Sequence, residues 1–206
     1  MLNFEEQYYS GEVEVIVGVD EAGRGPLCGP VVAGACILPK DYKNRLINDS
    51  KKLSEKKREE LFKEIIKHSL AYGVGYVGPE IIDRINIYEA SKIAMMKAIK
   101  NLNIKYDLVL TDAMPLKIPG VKVIPIIKGD AKCECIASGS IIAKVCRDHY
   151  MMAMSKKYPE YKLDKHKGYP TKEHLELLNL FGPIRGFYRY SYKPVKISLV
   201  KQLKIL

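Results

Sequence analysis

Four acidic residues stand where apolar runs of the chain break off: Asp20 and Glu21 after the first, Asp112 after a short later one, and Asp130 beyond the next. Carboxylates that converge in an apolar setting repel one another and take up protons unless a cation neutralises them. Oxygen-only donors select hard ions such as Mg²⁺ or Mn²⁺ over zinc. The four acids therefore point to a divalent-metal site. Gly23-Arg24-Gly25 follows the acidic pair directly, and glycines on both sides of an arginine let the backbone come close to a sugar-phosphate chain. Gly18 and Gly23 also have the spacing of a nucleotide-binding loop. That loop needs Lys and then Ser or Thr, however, where Arg24 and Gly25 stand, which argues against a nucleotide hydrolase.

Reactive groups in open α/β sheets collect beyond the carboxyl ends of strands, so the strands must be placed first. Val13 to Val19 is β-branched and Gly29 to Leu38 is apolar without helical spacing, and both read as buried strands joined by a glycine-rich turn. Ser54 caps a predicted helix with Leu61, Phe62, Ile65 and Ile66 on one face, ending near Ser69. Further strands are expected at Ala71 to Val77, Leu108 to Leu110 and Val121 to Ile127, with a helix between at Ile87 to Leu102. Ala131 to Tyr158 reads as helical with Ile136, Ile141, Ile142 and Val145 inward. Thr171 to Leu180 begins another helix, and the basic, aromatic last segment reads as irregular. The expected fold is α/β, a mixed five-stranded sheet flanked by helices with a small C-terminal helical region. Residues 1–165 would form the catalytic domain and 166–206 a basic substrate-contact region.

With 206 residues, 47% of them hydrophobic, the chain can bury a core, which excludes a disordered or fibrous protein. The 34 Lys and Arg against 24 Asp and Glu give a net charge of +10 and favour a polyanionic partner. A binding module without catalysis would share that charge, but acids clustered beside a phosphate contact would weaken pure binding. No basic leader and no apolar run of about 20 residues occurs, so a cytoplasmic protein without a membrane partner is expected. Cys28, Cys36, Cys133, Cys135 and Cys146 fit neither a disulfide framework nor zinc-ligand spacing and read as small apolar fillers.

Asp20-Glu-Ala-Gly-Arg-Gly-Pro-Leu-Cys-Gly-Pro-Val-Val32 closely resembles the signature of ribonuclease HII. The resemblance continues through Asp49-Ser-Lys-Lys-Leu53, Thr111-Asp112, Lys128-Gly-Asp130, Ser140-Ile-Ile-Ala-Lys144 with Arg147-Asp148, and Lys167-Gly-Tyr-Pro-Thr171. It implies a ribonuclease H-like fold in which Asp20, Glu21, Asp112 and Asp130 hold two catalytic Mg²⁺ or Mn²⁺ ions. It also assigns Gly23, Arg24 and Gly25 to the ribose 2′-hydroxyl, the group that separates RNA from DNA. Ser50 and Lys51 become substrate contacts, and Tyr169 packs on the sugar at the RNA-to-DNA junction. Asp148, inside a helix beside Arg147, is assigned an ion pair or packing instead. Ser138-Gly139 and Gly186-Phe-Tyr-Arg-Tyr-Ser191 depart from the family pattern and bear on distal substrate contacts. The sister type, ribonuclease HIII, is expected to lack Gly-Arg-Gly and to carry an added N-terminal domain.

The implied reaction is metal-assisted hydrolysis on the 5′ side of a ribonucleotide, in RNA/DNA hybrids or at a single site in duplex DNA, leaving 3′-hydroxyl and 5′-phosphate ends. Such an enzyme serves ribonucleotide removal in replication and repair, and is expected here as a monomer. Attack by the 2′-hydroxyl would instead need an acid and a base, and His68, His149, His166 and His174 show no such pairing by spacing. His166 and His174 flank Tyr169, where phosphate contact, turn packing and catalysis all stay open. Gln202-Leu-Lys-Ile-Leu206 loosely resembles peptides that dock on bacterial sliding clamps. The competing expectation is that Ile197, Leu199, Val200 and Leu203 pack the last segment onto the protein.

Overall fold

The computed structural model describes residues 4–44, 46–47, 50 and 53–203, with the main chain only at 202 and 203. β1 (Ile16–Ala22), β2 (Val31–Ile37) and β3 (Ala71–Val77) form an antiparallel meander. β4 (Leu108–Asp112) and β5 (Lys122–Ile126) add in parallel on the other side of β1, giving the order β3-β2-β1-β4-β5. This is the mixed five-stranded sheet expected from the sequence.

Alternation along the strands decides which helix each residue meets. Val17, Val19, Val31, Ala33, Ala35 and Ile37 pack against α2 (Pro79–Lys100). The other face receives α1 (Glu55–His68) and α3 (Glu134–Lys157), whose Leu61, Ile65, Ile141 and Ile142 cluster with Cys36. Ser54 caps α1 by accepting the N–H of Lys57, and Ser69 ends it, as read from the sequence. All five cysteines are free and four of them are buried.

The approach of α3 to the sheet is close because side chains are missing at the contact. A Cβ on Gly18 would lie 2.1 Å from the Cys135 carbonyl carbon, and one on Gly34 would lie 2.3 Å from the Gly139 oxygen. Gly139 answers from the helix side, where its own Cβ would meet Gly34 O at 2.7 Å. The departure from the family pattern at Ser138-Gly139 thus lies in a helix-sheet contact with no room for a Cβ.

Four elements differ from the sequence reading. β1 runs to Ala22 rather than stopping at Val19, because its ladder with β2 extends past the apolar residues and pairs Asp20 with Gly34 and Glu21 with Ala33. The helix expected from Ile87 is preceded by another stretch from Pro79. Asn86, at φ 72°, breaks the two, and its Oδ1 accepts the N–H groups of Tyr88 and Glu89 to restart the helix. The Asp130 turn, Gly129–Ala131, is a separate 3-10 turn before α3. The last segment is not irregular but forms α6 (Lys193–Leu203), which buries Val195 and Ser198 while Ile197 and Val200 stay exposed. The packing expected of Ile197 and Val200 is therefore not what holds α6.

α4 (Leu163–His166) and α5 (Lys172–Phe181) complete the chain. Tyr161, Leu163, Leu178, Phe187, Tyr188 and Val195 share an apolar cluster with Leu27, Cys28 and Met151, so residues on both sides of position 166 build it. No helix among the described residues is long and apolar enough to cross a membrane.

Gly18→Ala should test the α3 contact. Forcing a methyl into backbone costs at least about 2 kcal/mol by analogy with overpacked cores, or roughly 4–8 °C in melting temperature for a chain of this size. An unchanged thermal unfolding curve would show that α3 is free to move outward.

Candidate active site

Asp20 leaves β1 on the α3 side, Asp112 ends β4, and Asp130 sits in the 3-10 turn after β5. One carboxylate oxygen from each lies within 4.8 Å of the others. Asp20 and Asp130 are buried and Asp112 is half-buried. The second strand end is tied to the turn directly, since Asp112 Oδ1 accepts the N–H of Gly129 at 2.8 Å. Lys128 reaches that turn through a left-handed backbone at φ 57°.

Burial, reinforced by the charges of Glu21 and Asp112, pushes the Asp20 carboxyl well above the usual carboxylate range. A hydrogen bond with the Ser140 side chain and the N–H of Glu21, at 2.7 Å from Asp20 Oδ1, acts in the opposite direction. Three acids gathered this closely repel one another when ionised. Their donor set is all oxygen, which suits a hard divalent ion.

Glu21 occupies the next position on β1 and is not part of that three-residue cluster. Its Oε1 accepts Arg24 Nη1 at 3.1 Å, linking the acids to the Gly23-Arg24-Gly25 turn. Gly25 faces Tyr169, where an added Cβ would lie 3.6 Å from the ring. Tyr169 is 39% exposed, and the cationic groups of Arg147 and Lys144 lie 5.8 and 6.0 Å from its ring centroid. Ser50 is buried, with its hydroxyl 2.9 Å from that of Ser140. Lys51 lies outside the described residues.

Asp148 is engaged in ion pairs, with Lys144 at 2.6 Å and Arg58 at 3.8 Å, in keeping with its exclusion from the acid cluster. Arg58 also donates to the carbonyls of Ser50 and Leu53, at 2.9 and 2.5 Å, so it anchors the segment before α1. Sequence reasoning missed the roles of Arg58 and Ser140. The signal available for Ser140 was a hydroxyl on the inward, apolar side of α3.

A sequence model of the family Ribonuclease HII matches residues 17–195. This chain belongs to the ribonuclease HII family. Ribonuclease HII of Bacillus subtilis (strain 168) is 50% identical over 196 residues, which cover 95% of this chain and 76% of that one. Among solved structures, ribonuclease H2 from Pyrococcus horikoshii OT3 has a TM-score of 0.77 at 29% identity, covering 91% of this chain and 99% of its own. The PCNA:RNase HII complex from Archaeoglobus fulgidus gives 0.72 at 30% identity, covering 87% of this chain and 95% of the matched one. The chain is a ribonuclease H enzyme with the mixed sheet of that fold.

The two histidines flanking Tyr169 have a packing role in this ribonuclease. Their rings stack with centroids 4.1 Å apart. His166 Nδ1 accepts the N–H of Gly168 at 3.1 Å, and its Nε2 meets Tyr161 O at 2.9 Å. His174 bridges Tyr169 O at 2.9 Å and the Tyr188 hydroxyl at 2.8 Å. Burial, then the charge His166 would carry, lowers His174 to about 4. Its folded pKa thus lies below the unfolded value near 6.5, so the stabilisation is complete above pH ~6.5 and lost as pH falls toward 4. Wild type should lose melting temperature across that window more steeply than His174→Gln. Parallel pH profiles would remove the neutral histidine from the support of Tyr169.

Proposed function

We propose that this enzyme hydrolyses the phosphodiester bond on the 5′ side of ribonucleotides, in RNA/DNA hybrids and at single ribonucleotides in duplex DNA, leaving 3′-hydroxyl and 5′-phosphate ends. It would act in the cytoplasm, as a monomer, in ribonucleotide removal during replication and repair. The observation that carries this reading is the cluster of Asp20, Asp112 and Asp130 joined through Glu21 to the Gly23-Arg24-Gly25 turn.

Asp20, Asp112 and Asp130, with Glu21 beside them, would hold Mg²⁺ or Mn²⁺, two ions per site by the family resemblance. Bound there, the ions supply an activated water and charge neutralisation at the leaving oxygen. The protein's own residues do the selecting. Gly23, Arg24 and Gly25 would contact the 2′-hydroxyl, Tyr169 would pack on the sugar at the junction, and Ser50 and Lys51 would contact the adjoining strand. The basic surface would hold the phosphate backbone, with residues 166–206 as the substrate-contact region beside a catalytic region of 1–165.

Asp20→Asn and Asp112→Asn are each expected to lower cleavage at least about 100-fold, by analogy with weakened metal sites, while duplex binding survives. The assay is a Mg²⁺ or Mn²⁺ reaction on a duplex with one ribonucleotide, the cut mapped at nucleotide resolution. Wild-type turnover in either variant, or a cut on the 3′ side of the ribonucleotide, would overturn the assignment.

A protein partner is a second proposal, favoured by the family member solved in complex with PCNA. Residues 202–206 would dock on a sliding clamp through Leu203, Ile205 and Leu206; their side chains lie outside the described residues. Deleting 202–206 should abolish capture on immobilised clamp and leave melting temperature and cleavage of short duplexes unchanged. A loss of several degrees on truncation would make the segment a packing element.

A further inference from the structure

Among the described residues, Arg147 and Arg189 are the two largest side chains that are completely buried. Burial, and after it the charge of Arg189, holds the Arg147 guanidinium below its ordinary range. Buried cations of this kind add little stability over well-packed apolar residues, so their geometry is the feature to explain.

Most of their donors go to main-chain carbonyls of one turn. Arg189 donates from Nε and Nη2 to Gly29 O at 3.0 and 2.9 Å, from Nη2 to Gly23 O at 2.6 Å, and from Nη1 to Arg24 O at 3.0 Å. The Tyr192 hydroxyl adds a bond to Arg24 O at 2.6 Å and accepts Arg189 Nη1 at 3.1 Å. From the other side, Arg147 donates to Pro30 O at 3.2 Å and Cys28 O at 3.3 Å. Gly23 permits this packing: it sits at φ 96°, and an added Cβ would lie 2.2 Å from Arg147 Nε.

In a trans peptide the carbonyl and the following N–H point in opposite directions, and no cis peptide is present among the described residues. With Gly23 O and Arg24 O drawn onto Arg189, the N–H groups of Arg24 and Gly25 point away from it. Neither has a hydrogen-bond acceptor among the described residues. We infer that Arg189, Tyr192 and Arg147 are positioning residues, which hold the carbonyls of residues 23–30 inward so that the Arg24 and Gly25 amides form a fixed donor pair for the substrate 2′-hydroxyl. This rests on the reading of Gly23-Arg24-Gly25 as the ribose contact.

The segment that differs from the family pattern, Gly186 to Ser191, therefore contributes behind the ribose contact. Asp83 secures it from α2 by accepting the N–H groups of Tyr190 and Ser191, both at 2.8 Å. Lysine cannot replace either arginine, because one ammonium cannot reproduce a planar fork that spans several carbonyls.

Tyr192→Phe is the gentle test and Arg189→Lys the strong one. Loss of one neutral or one charge-assisted hydrogen bond predicts kcat/KM on a single-ribonucleotide duplex lower by about 10-fold in the first and about 100-fold in the second. The deciding readout is the ratio of kcat/KM between that duplex and one carrying 2′-fluoro at the same position. The ratio should shrink in both variants while Mn²⁺ affinity holds, and ¹⁵N order parameters at Arg24 and Gly25 should fall. A merely structural role would lower both substrates equally. An unchanged ratio in Tyr192→Phe and in folded Arg189→Lys, or unchanged order parameters at the two amides, overturns the inference. If wild type cleaves no ribonucleotide duplex, the proposed function fails instead, and the order parameters still decide whether the brace exists.

Discussion

The site depends on how closely α3 can lie against β1 and β2. Gly18 and Gly34 on the strands and Gly139 on the helix remove the side chains that would hold the two layers at ordinary spacing, so backbone meets backbone. That distance brings Ser140 within hydrogen-bond reach of Asp20 and places its hydroxyl against Ser50. It also locates the N-terminus of α3, and with it the Asp130 turn, beside the end of β4. A wider gap would separate the carboxylates, and an oxygen-ligand site for a hard cation tolerates little spread. Much of the core density can be met by many apolar combinations, but this contact, like that of Gly73 and Gly75 with α2, admits no Cβ.

The acids and the arginines form two polar groups of opposite sign, and the β1–β2 connection runs between them. Asp20, Asp112 and Asp130 gather acidic groups, whereas Arg147 and Arg189 donate their hydrogen bonds to carbonyls of the same connection. Glu21 and Arg24 join the two through a 3.1 Å ion pair. One continuous stretch of chain would therefore supply both the ribose contact and the first acids of the metal site. Its conformation is held from behind by residues more than a hundred positions away in sequence.

Tyr169 is supported in a similar way. The stacked His166 and His174 tie the turn before α5 to Tyr161 and Tyr188, and Leu27 N donates to Gly168 O at 2.8 Å across to the β1–β2 connection. The distal segment is thus joined to the site by hydrogen bonds as well as by the shared apolar cluster.

Much of this was legible in the residues themselves. Apolar periodicity placed β2, β3, β4, α1 and α5, and Ser54 and Thr171 marked helix starts that their hydroxyls do cap. Local capping and alternation depend on neighbours along the chain, which is why they can be read from it. The acids and the Gly-Arg-Gly turn were equally visible, because their chemistry is carried by residue type and short spacing. What the chain order could not convey was the extension of β1 through Asp20 and Glu21, set by pairing with β2. Nor could it convey the gathering of Asp20, Asp112 and Asp130 without Glu21, or the turning inward of Arg147 and Arg189. Hydrogen bonds between strands and donors that cross from residue 189 to residue 23 exist only once layers have packed, and tertiary structure alone decides them.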